Sequence, residues 1–230
     1  MRITMSDPRR YHYLYEESIK TLRTNILFCG RDVKTILFTS CYPNEGKSDI
    51  VFQLAREIGR MGKRVLLLDA DIRKSSYMGR YKVKQAVCGL SQYLSGQAEM
   101  EQLYNQTNFE NMDIIFAGPV APNPSELLEE EAFERLLKGS KERYDYVLVD
   151  TPPMVGMTDG AVAAKKCDGA VLVVESEAVS YKVAQKVLGQ LQMSGCRILG
   201  AVLNKVDVKG DKYYSSYGKY TRYGKYSKYY

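Results

Sequence analysis

The sequence predicts an open, doubly wound α/β fold, with a mostly parallel sheet and helices on both faces. Six short apolar runs recur along the chain, and their composition is typical of strands buried on both faces. Helical patterns separate these runs, and strands that alternate with helices form parallel sheets. The chain has 230 residues, of which 45% are hydrophobic and 26% charged, as in a soluble globular domain with one sizeable core.

The first half of the chain contains the clearest elements. Residues 1–12 lack apolar periodicity, which predicts a flexible lead. Residues 13–29 carry apolar side chains at helical spacing, which predicts an amphipathic helix for packing or for a subunit contact. A strand at 35–39, a helix at 49–60 and a strand at 64–69 then form a βαβ unit.

The later elements follow the same alternation. They are short helices at Leu90–Leu94 and 100–104, a strand at 114–117, a helix capped by Ser125, strands at Tyr146–Asp150, 170–174 and 199–203, and a helix at Tyr181–Met193.

Residues 39–48 lie between the first strand and the next helix and fit most of a phosphate-binding P-loop. Gly46, Lys47 and Ser48 match the Gly-Lys-Ser/Thr end of that pattern, whereas Cys41 stands where a glycine is expected. Backbone N–H groups of such a loop surround phosphate, the lysine reaches the β and γ oxygens, and the hydroxyl binds Mg²⁺. The loop therefore predicts nucleotide binding.

Three aspartates follow predicted parallel strands. Asp69 and Asp71 end one strand and Asp150 ends another, so all three should converge on the P-loop at the carboxyl edge of the sheet. Carboxylates suit Mg²⁺, and one of them could accept a proton. A solvated turn and a strand cap are the structural alternatives.

The composition changes at residue 209. Residues 213–230 hold eight of the nineteen tyrosines and four basic residues without an acid, so 209–230 is predicted to be disordered. These four account for most of the net charge of +6, since 29 basic residues oppose 27 acidic ones in the remainder. The body therefore gives no charge signal for nucleic acid, although the tail could stack on single strands or accept phosphate. Five scattered cysteines without a Cys-x-x-Cys pair argue against disulfides and zinc.

From about residue 17 onward, the chain resembles the bacterial tyrosine kinases of capsule and exopolysaccharide biosynthesis, in the form with a separate cytoplasmic kinase. Residues 39–48 resemble their Walker A motif, 66–73 their Walker A′ motif and 144–153 their Walker B motif. The segment 122–128 and the tyrosine-rich tail complete the resemblance. It implies a P-loop NTPase fold, with a kinase domain over residues 13–208.

The resemblance implies a protein-tyrosine kinase that transfers the γ-phosphate of ATP, labels its own tail in trans and regulates polysaccharide synthesis. Lys47 and Asp69 would be catalytic, and Ser48, Asp71 and Asp150 would hold Mg²⁺. The implied ATP-binding residues are Asn44, Glu45, Gly46, Lys47, Ser48, Asp49 and Asn204. The implied phosphate acceptors are Tyr213, Tyr214, Tyr217, Tyr220, Tyr223, Tyr226, Tyr229 and Tyr230.

The resemblance also implies partners. Glu17, Lys20 and Arg23 would form a subunit contact in a homo-oligomeric ring, with Lys20 in place of the more usual arginine. Protein tyrosines would be the substrates, and no nucleic acid is expected. No apolar run is long enough to span a bilayer and the start has no apolar leader, so a cytoplasmic location is expected. A membrane adaptor of the polysaccharide chain-length type would activate the kinase and recruit it to the inner face of the cell membrane.

Two other functions compete with the kinase. Residues 204–207, Asn-Lys-Val-Asp, fit the guanine-reading pattern of GTPases. A partition-type regulatory ATPase with a basic tail would also explain the P-loop. The Asp-x-Asp pair and the eight tail tyrosines favour the kinase over both.

Overall fold

A computed structural model describes residues 1–9 and 11–207. In this part of the chain seven strands form a single sheet in the order β3-β4-β2-β5-β1-β6-β7. All neighbouring strands are parallel except β3 and β4. The strands are β1 (Thr35–Ser40), β2 (Val65–Asp69), β3 (Asn105–Gln106), β4 (Met112–Ile115), β5 (Tyr146–Asp150), β6 (Gly169–Glu175) and β7 (Ile198–Asn204). The doubly wound, mostly parallel fold is thus confirmed, with one more strand than the six predicted.

Helices cover both faces of this sheet. They are α1 (Tyr13–Leu27), α2 (Lys47–Arg60), α3 (Tyr77–Arg80), α4 (Leu90–Leu94), α5 (Pro124–Glu129), α6 (Glu131–Arg143), α7 (Asp159–Ala164) and α8 (Tyr181–Met193). Alternate residues of each central strand enter two separate buried clusters, as the pleat of a strand requires. Residues of α1, α2 and α3 join one cluster, and residues of α6, α7 and α8 join the other.

Two predicted elements differ in detail. The predicted helix at 100–104 is a 3₁₀ turn over Met100–Gln102. Ser125 is not a helix cap, because Asn123 precedes α5 and Pro124 is its first residue. Pro124 suits that position, since its fixed φ matches a helix and its missing N–H would have no partner there. The Ser125 hydroxyl instead donates to Asp159 at the start of α7.

Residues 1–9 differ from the flexible lead that the sequence predicted. The N–H of Ile3 donates to the carbonyl of Gln106 at 2.8 Å, and the N–H of Gln106 donates to the carbonyl of Met1 at 2.7 Å. Ile3 and Met5 are buried against the sheet, while Arg2 and Thr4 are exposed. This alternation is that of a strand, and it is too short to stand out in a sequence window. The segment therefore covers the β3 edge of the sheet.

No helix within residues 1–9 and 11–207 is both long enough and apolar enough to cross a membrane.

Candidate active site

The predicted site residues meet at the carboxyl edge of three adjacent strands. The P-loop follows β1, Asp69 ends β2 and Asp150 ends β5, and these strands are neighbours in the order β2-β5-β1. Asp69 and Asp150 are direct register partners across the β2–β5 pair. This edge is where ligands bind in open parallel sheets. A cleft of about 360 Å³ lies here, lined by the P-loop together with Asp71, Arg73 and residues of the turn after β5.

The P-loop contains two residues with left-handed backbone conformation. Gly46 has φ 85°, and a side chain there would place its Cβ 2.2 Å from the Asn204 amide nitrogen, so only glycine fits. Asn44 has φ 68°, which asparagine tolerates better than most residues. Cys41 does not have a positive φ. Its side chain is buried in the core, so the loop accommodates a cysteine where the pattern expects glycine.

Interactions from outside the cleft hold this loop. The carboxylate of Glu45 is buried and accepts hydrogen bonds from the N–H groups of Tyr42 and, at 2.8 Å, Glu175. The Asn204 amide donates to the Glu45 carbonyl at 2.8 Å. Lys205 donates to the Asn44 carbonyl at 2.7 Å. Asn204 and Lys205 therefore contact the loop backbone, and the predicted contact of Asn204 with a nucleotide base stays a prediction.

Lys47 is paired with Asp150 inside the site. Its ammonium donates to one oxygen of the Asp150 carboxylate and lies 3.2 Å from the Ser48 hydroxyl. The side chains of Lys47 and Asp150 are only 7% and 1% exposed. Each of these two buried charges offsets the free-energy cost of burying the other. Removing one partner therefore leaves an unpaired buried charge, which destabilises the site.

Asp69 is fully buried beside this ion pair. Burial and the neighbouring charge of Asp150 raise the pKa of the Asp69 carboxyl to about 7, although a hydrogen bond from the Ser75 hydroxyl opposes the rise. A group whose pKa lies near neutrality can accept a proton at physiological pH and release it again. Of the three carboxylates, Asp69 is thus the one suited to act as a base.

The oxygen-rich donor set fits Mg²⁺. Ser48 and Asp71 line the cleft, and the Asp150 carboxylate and the Ser48 hydroxyl both contact the Lys47 ammonium. The Asp71 carboxylate accepts hydrogen bonds from the N–H groups of Arg73 and Lys74, which fixes the turn after β2. Within the described residues no three acidic, histidine or cysteine side chains are grouped to hold a metal alone. Mg²⁺ commonly uses few protein ligands and completes its shell with water and phosphate oxygens, so these residues suit it.

The Asp49 side chain points away from the cleft, and its predicted role in ATP binding stays a prediction. Its carboxylate accepts hydrogen bonds from the hydroxyls of Tyr11 and Tyr15, each at 2.9 Å, and pairs with Arg9. One residue of α-helix turns the side chain by about 100°, so Asp49 faces α1 while Ser48 faces the cleft. The Asp49 side chain therefore belongs to the contact between α1 and α2.

Two features of the site could not be predicted from the sequence. Arg73, the last residue of the Asp-x-Asp-x-Arg segment, pairs with the buried Asp159 and contacts Ser125. This interaction joins the turn after β2 to α5 and α7. Tyr77, whose sequence neighbourhood gave no signal beyond the adjacent motif, donates to Asp150 at 2.9 Å.

The remaining predicted residues lie elsewhere. Glu17 and Lys20 form an exposed ion pair at 2.7 Å on α1, and Arg23 contacts Glu57 of α2 at 3.4 Å. The eight predicted acceptor tyrosines fall outside the residues that the structure describes.

Comparison with known proteins gives consistent matches. The AAA domain family matches residues 34–195. The tyrosine-protein kinase CpsD of Streptococcus pneumoniae is 38% identical over 209 residues, which are 89% of this chain and 92% of that protein. The kinase domain of Escherichia coli tyrosine kinase ETK has a TM-score of 0.79 at 32% identity, covering 83% of this chain and 75% of that chain. The septum site-determining protein MinD of Pyrococcus horikoshii, complexed with Mg-ADP, has a lower TM-score of 0.66 at 26% identity, covering 76% and 71%.

Proposed function

The chain belongs to the bacterial tyrosine-protein kinases, a P-loop NTPase family, and we propose that it transfers the γ-phosphate of ATP to its own C-terminal tyrosines in trans. The observation that carries this proposal is the convergence of Lys47, Asp69 and Asp150 at one edge of the sheet, beside the cleft that Lys47 lines. Partition-type ATPases share the fold, but the MinD match is weaker in identity and in TM-score than the ETK kinase match.

The residues of the site have different roles in the proposed reaction. The P-loop N–H groups and Lys47 bind and orient the phosphates, after Lys47 has left Asp150. Bound Mg²⁺ would neutralise phosphate charge, with Ser48, Asp71 and Asp150 as its holders, mainly through water. Asp69 accepts the proton of the incoming tyrosine hydroxyl. The tyrosine oxygen forms the new bond to phosphorus, and the bond from phosphorus to the bridging oxygen of ADP breaks.

A base matters for this acceptor in particular. A tyrosine hydroxyl has a pKa near 10 and carries its proton at neutral pH. A carboxylate with a pKa near 7 accepts that proton more readily than an ordinary aspartate would, and positioned bases contribute about 10²–10⁴-fold in rate.

The same proposal includes assembly and regulation. We infer that α1 forms the subunit contact of a homo-oligomeric ring through Glu17, Lys20 and Arg23. The chain would act from the cytoplasmic side of the membrane, recruited and activated by a membrane adaptor, and would regulate capsule or exopolysaccharide synthesis. Lys20 and Glu17 are both partly exposed, as such a contact requires before assembly. The interface test is a mass measurement: Lys20→Glu should lower the oligomer size.

A mixing experiment tests the kinase and its trans action together. The donor is the full chain with its eight tail tyrosines changed to Phe, so it has an active site and no tail acceptor. The acceptor is the full chain with Asp69→Asn, a nearly isosteric change that keeps the Lys47–Asp150 pair. Incubation with ATP and Mg²⁺, with the candidate adaptor's cytoplasmic segment present, should place phosphate on tyrosines 213–230 of the acceptor.

The controls separate the possible outcomes. The acceptor alone should gain little phosphate, and an Asp69→Asn donor should not label it. GTP in place of ATP should give much weaker labelling. Stronger labelling with GTP is what the guanine-reading alternative would predict. Complete absence of tail phosphate in the mixture and in the wild-type chain would refute the kinase proposal.

A further inference from the structure

Tyr77 occupies a buried position between two residues of the site. It is the first residue of α3 and only 1% exposed. Its hydroxyl lies 2.9 Å from one oxygen of Asp150 and 3.0 Å from the backbone carbonyl of Ser48. The other oxygen of Asp150 accepts from Lys47. A single hydroxyl thus contacts two residues that suit Mg²⁺.

The ring of Tyr77 does not require this hydroxyl. It packs beside Phe52, with centroids 6.5 Å apart, and stacks on Tyr81 at 5.8 Å. A phenylalanine would make the same contacts. A hydroxyl buried without a partner costs about 1–3 kcal/mol, so its value lies in the hydrogen bonds that it makes.

The hydrogen bond from Tyr77 to Asp150 becomes more important for holding the carboxylate when nucleotide binds. Lys47 holds one oxygen of Asp150 in this structure, and phosphate competes for the same ammonium. Once Lys47 turns to phosphate, Tyr77 still fixes the other Asp150 oxygen. The oxygen that Lys47 releases is then free, close to the Ser48 hydroxyl that lies 3.2 Å from the same ammonium. Hydrogen bonds to a carboxylate are among the stronger ones in proteins, which suits this anchoring role.

We propose that Tyr77 is a positioning residue that orients the Asp150 carboxylate for Mg²⁺. The role rests on the proposed function only in its use of a metal-bound nucleotide, and it holds whatever the phosphate acceptor is. Groups that orient metal ligands from behind typically contribute about 10–100-fold to metal affinity. Tyr77 contacts neither substrate nor metal in this scheme, so its effect is on metal binding and not on proton transfer.

The test is Tyr77→Phe in the full chain, with Tyr81→Phe as the matched control. Tyr81 is a buried ring of the same stack whose hydroxyl accepts from Arg9 at 2.9 Å and does not reach the Asp150 carboxylate. The measurement is the binding of fluorescent ADP as Mg²⁺ is titrated, repeated in EDTA. In Tyr77→Phe the half-saturating Mg²⁺ concentration should rise about 10-fold. Metal-free ADP affinity should stay within about 2-fold of wild type, and Tyr81→Phe should show no rise.

A double-mutant cycle gives a second readout. Tyr77→Phe added to Asp150→Asn should raise the half-saturating Mg²⁺ concentration far less than in the wild-type background, because the group that Tyr77 orients is altered. An unchanged Mg²⁺ dependence in Tyr77→Phe would overturn the positioning role. Loss of metal-free ADP binding, or an equal effect of Tyr81→Phe, would also overturn it and assign the hydroxyl to structure. If Tyr77→Phe shows the Mg²⁺ shift but the wild-type chain phosphorylates no tyrosine, the kinase proposal is refuted and the positioning role of Tyr77 stands.

Discussion

The buried Asp69 carboxyl is the group of the site whose raised pKa suits it to accept a proton. It shares the edge of the sheet with Asp150, and the two carboxylates lie on directly paired residues that are both buried. Burial and, after it, the like charge of Asp150 raise the pKa of Asp69, while Asp150 is paired with Lys47. Neighbouring carboxyls with different environments can take different roles, one as base and one beside the metal.

Asp69→Asn tests that division. The amide cannot accept the tyrosine proton, so the rate of transfer should fall at least about 10²-fold. The ADP affinity in Mg²⁺ should change less than about 3-fold, since an asparagine of the same size keeps the cleft. Transfer is measured by phosphotyrosine mass spectrometry and affinity by fluorescent ADP. Ser75→Ala, which removes only the hydrogen bond to Asp69, is the control and should have a smaller effect on rate. Equal losses of rate and affinity in Asp69→Asn would assign the residue to the metal.

The P-loop shows how an element depends on parts of the chain far away in sequence. Asn44 has a left-handed conformation, and its carbonyl is held by Lys205, which also pairs with Glu175 at 2.7 Å. The residue that follows β7 therefore stabilises a loop that follows β1. Glycine would adopt the same φ without strain.

Lys205→Met should consequently weaken ADP binding by about 5-fold, the equivalent of one ordinary hydrogen bond of about 1 kcal/mol. Asn44→Gly in the same chain should restore part of the loss, because glycine needs less support for a positive φ. Fluorescent ADP titration measures both. Lys182→Met, at a charged position on α8 outside the loop contacts, controls for lost charge. A loss that Asn44→Gly leaves unchanged would contradict the role in loop conformation.

At the scale of elements, the strands that the sequence predicts are those with continuous apolar runs. β2 and β5 were predicted because a parallel strand buried on both faces is apolar throughout, and the aspartates at their ends then follow from topology. β3 could not be predicted, because Asn105 and Gln106 are polar and their pairing comes from the tertiary fold. Tyr77 could not be predicted either, because its role comes from a hydrogen bond to a residue 73 positions away.

At the scale of the whole molecule, residues 1–9 act as an additional edge of the sheet. Ile3 and Met5 are buried, and the N–H of Met5 donates to the Asn108 side chain at 2.7 Å. The edge strand β3 would otherwise present unpaired backbone groups to other molecules. The segment therefore contributes both apolar burial and edge protection.

Ile3→Ala and Met5→Ala should each destabilise the chain by about 2–5 kcal/mol, the usual cost of truncating a buried aliphatic side chain. Urea unfolding followed by circular dichroism measures this. Thr4→Ala is the matched control, since Thr4 is exposed between them and should change stability by less than about 0.5 kcal/mol. Wild-type stability in both buried variants would show that the segment detaches in solution.

Residues 1–9 can pack against β3 only after β3 has been synthesised. Met1 and Ile3 are bonded to residues 104 and 106, about a hundred positions later. At ribosomal rates of about 5–20 residues per second, the segment waits roughly 5–20 s before its partner strand exists. Ile3 and Met5 are exposed during that interval, when the growing chain is open to chaperones. Residues 1–9 thus complete their contacts only after β1, β2 and β3 have been translated, while β4 to β7 are still to come.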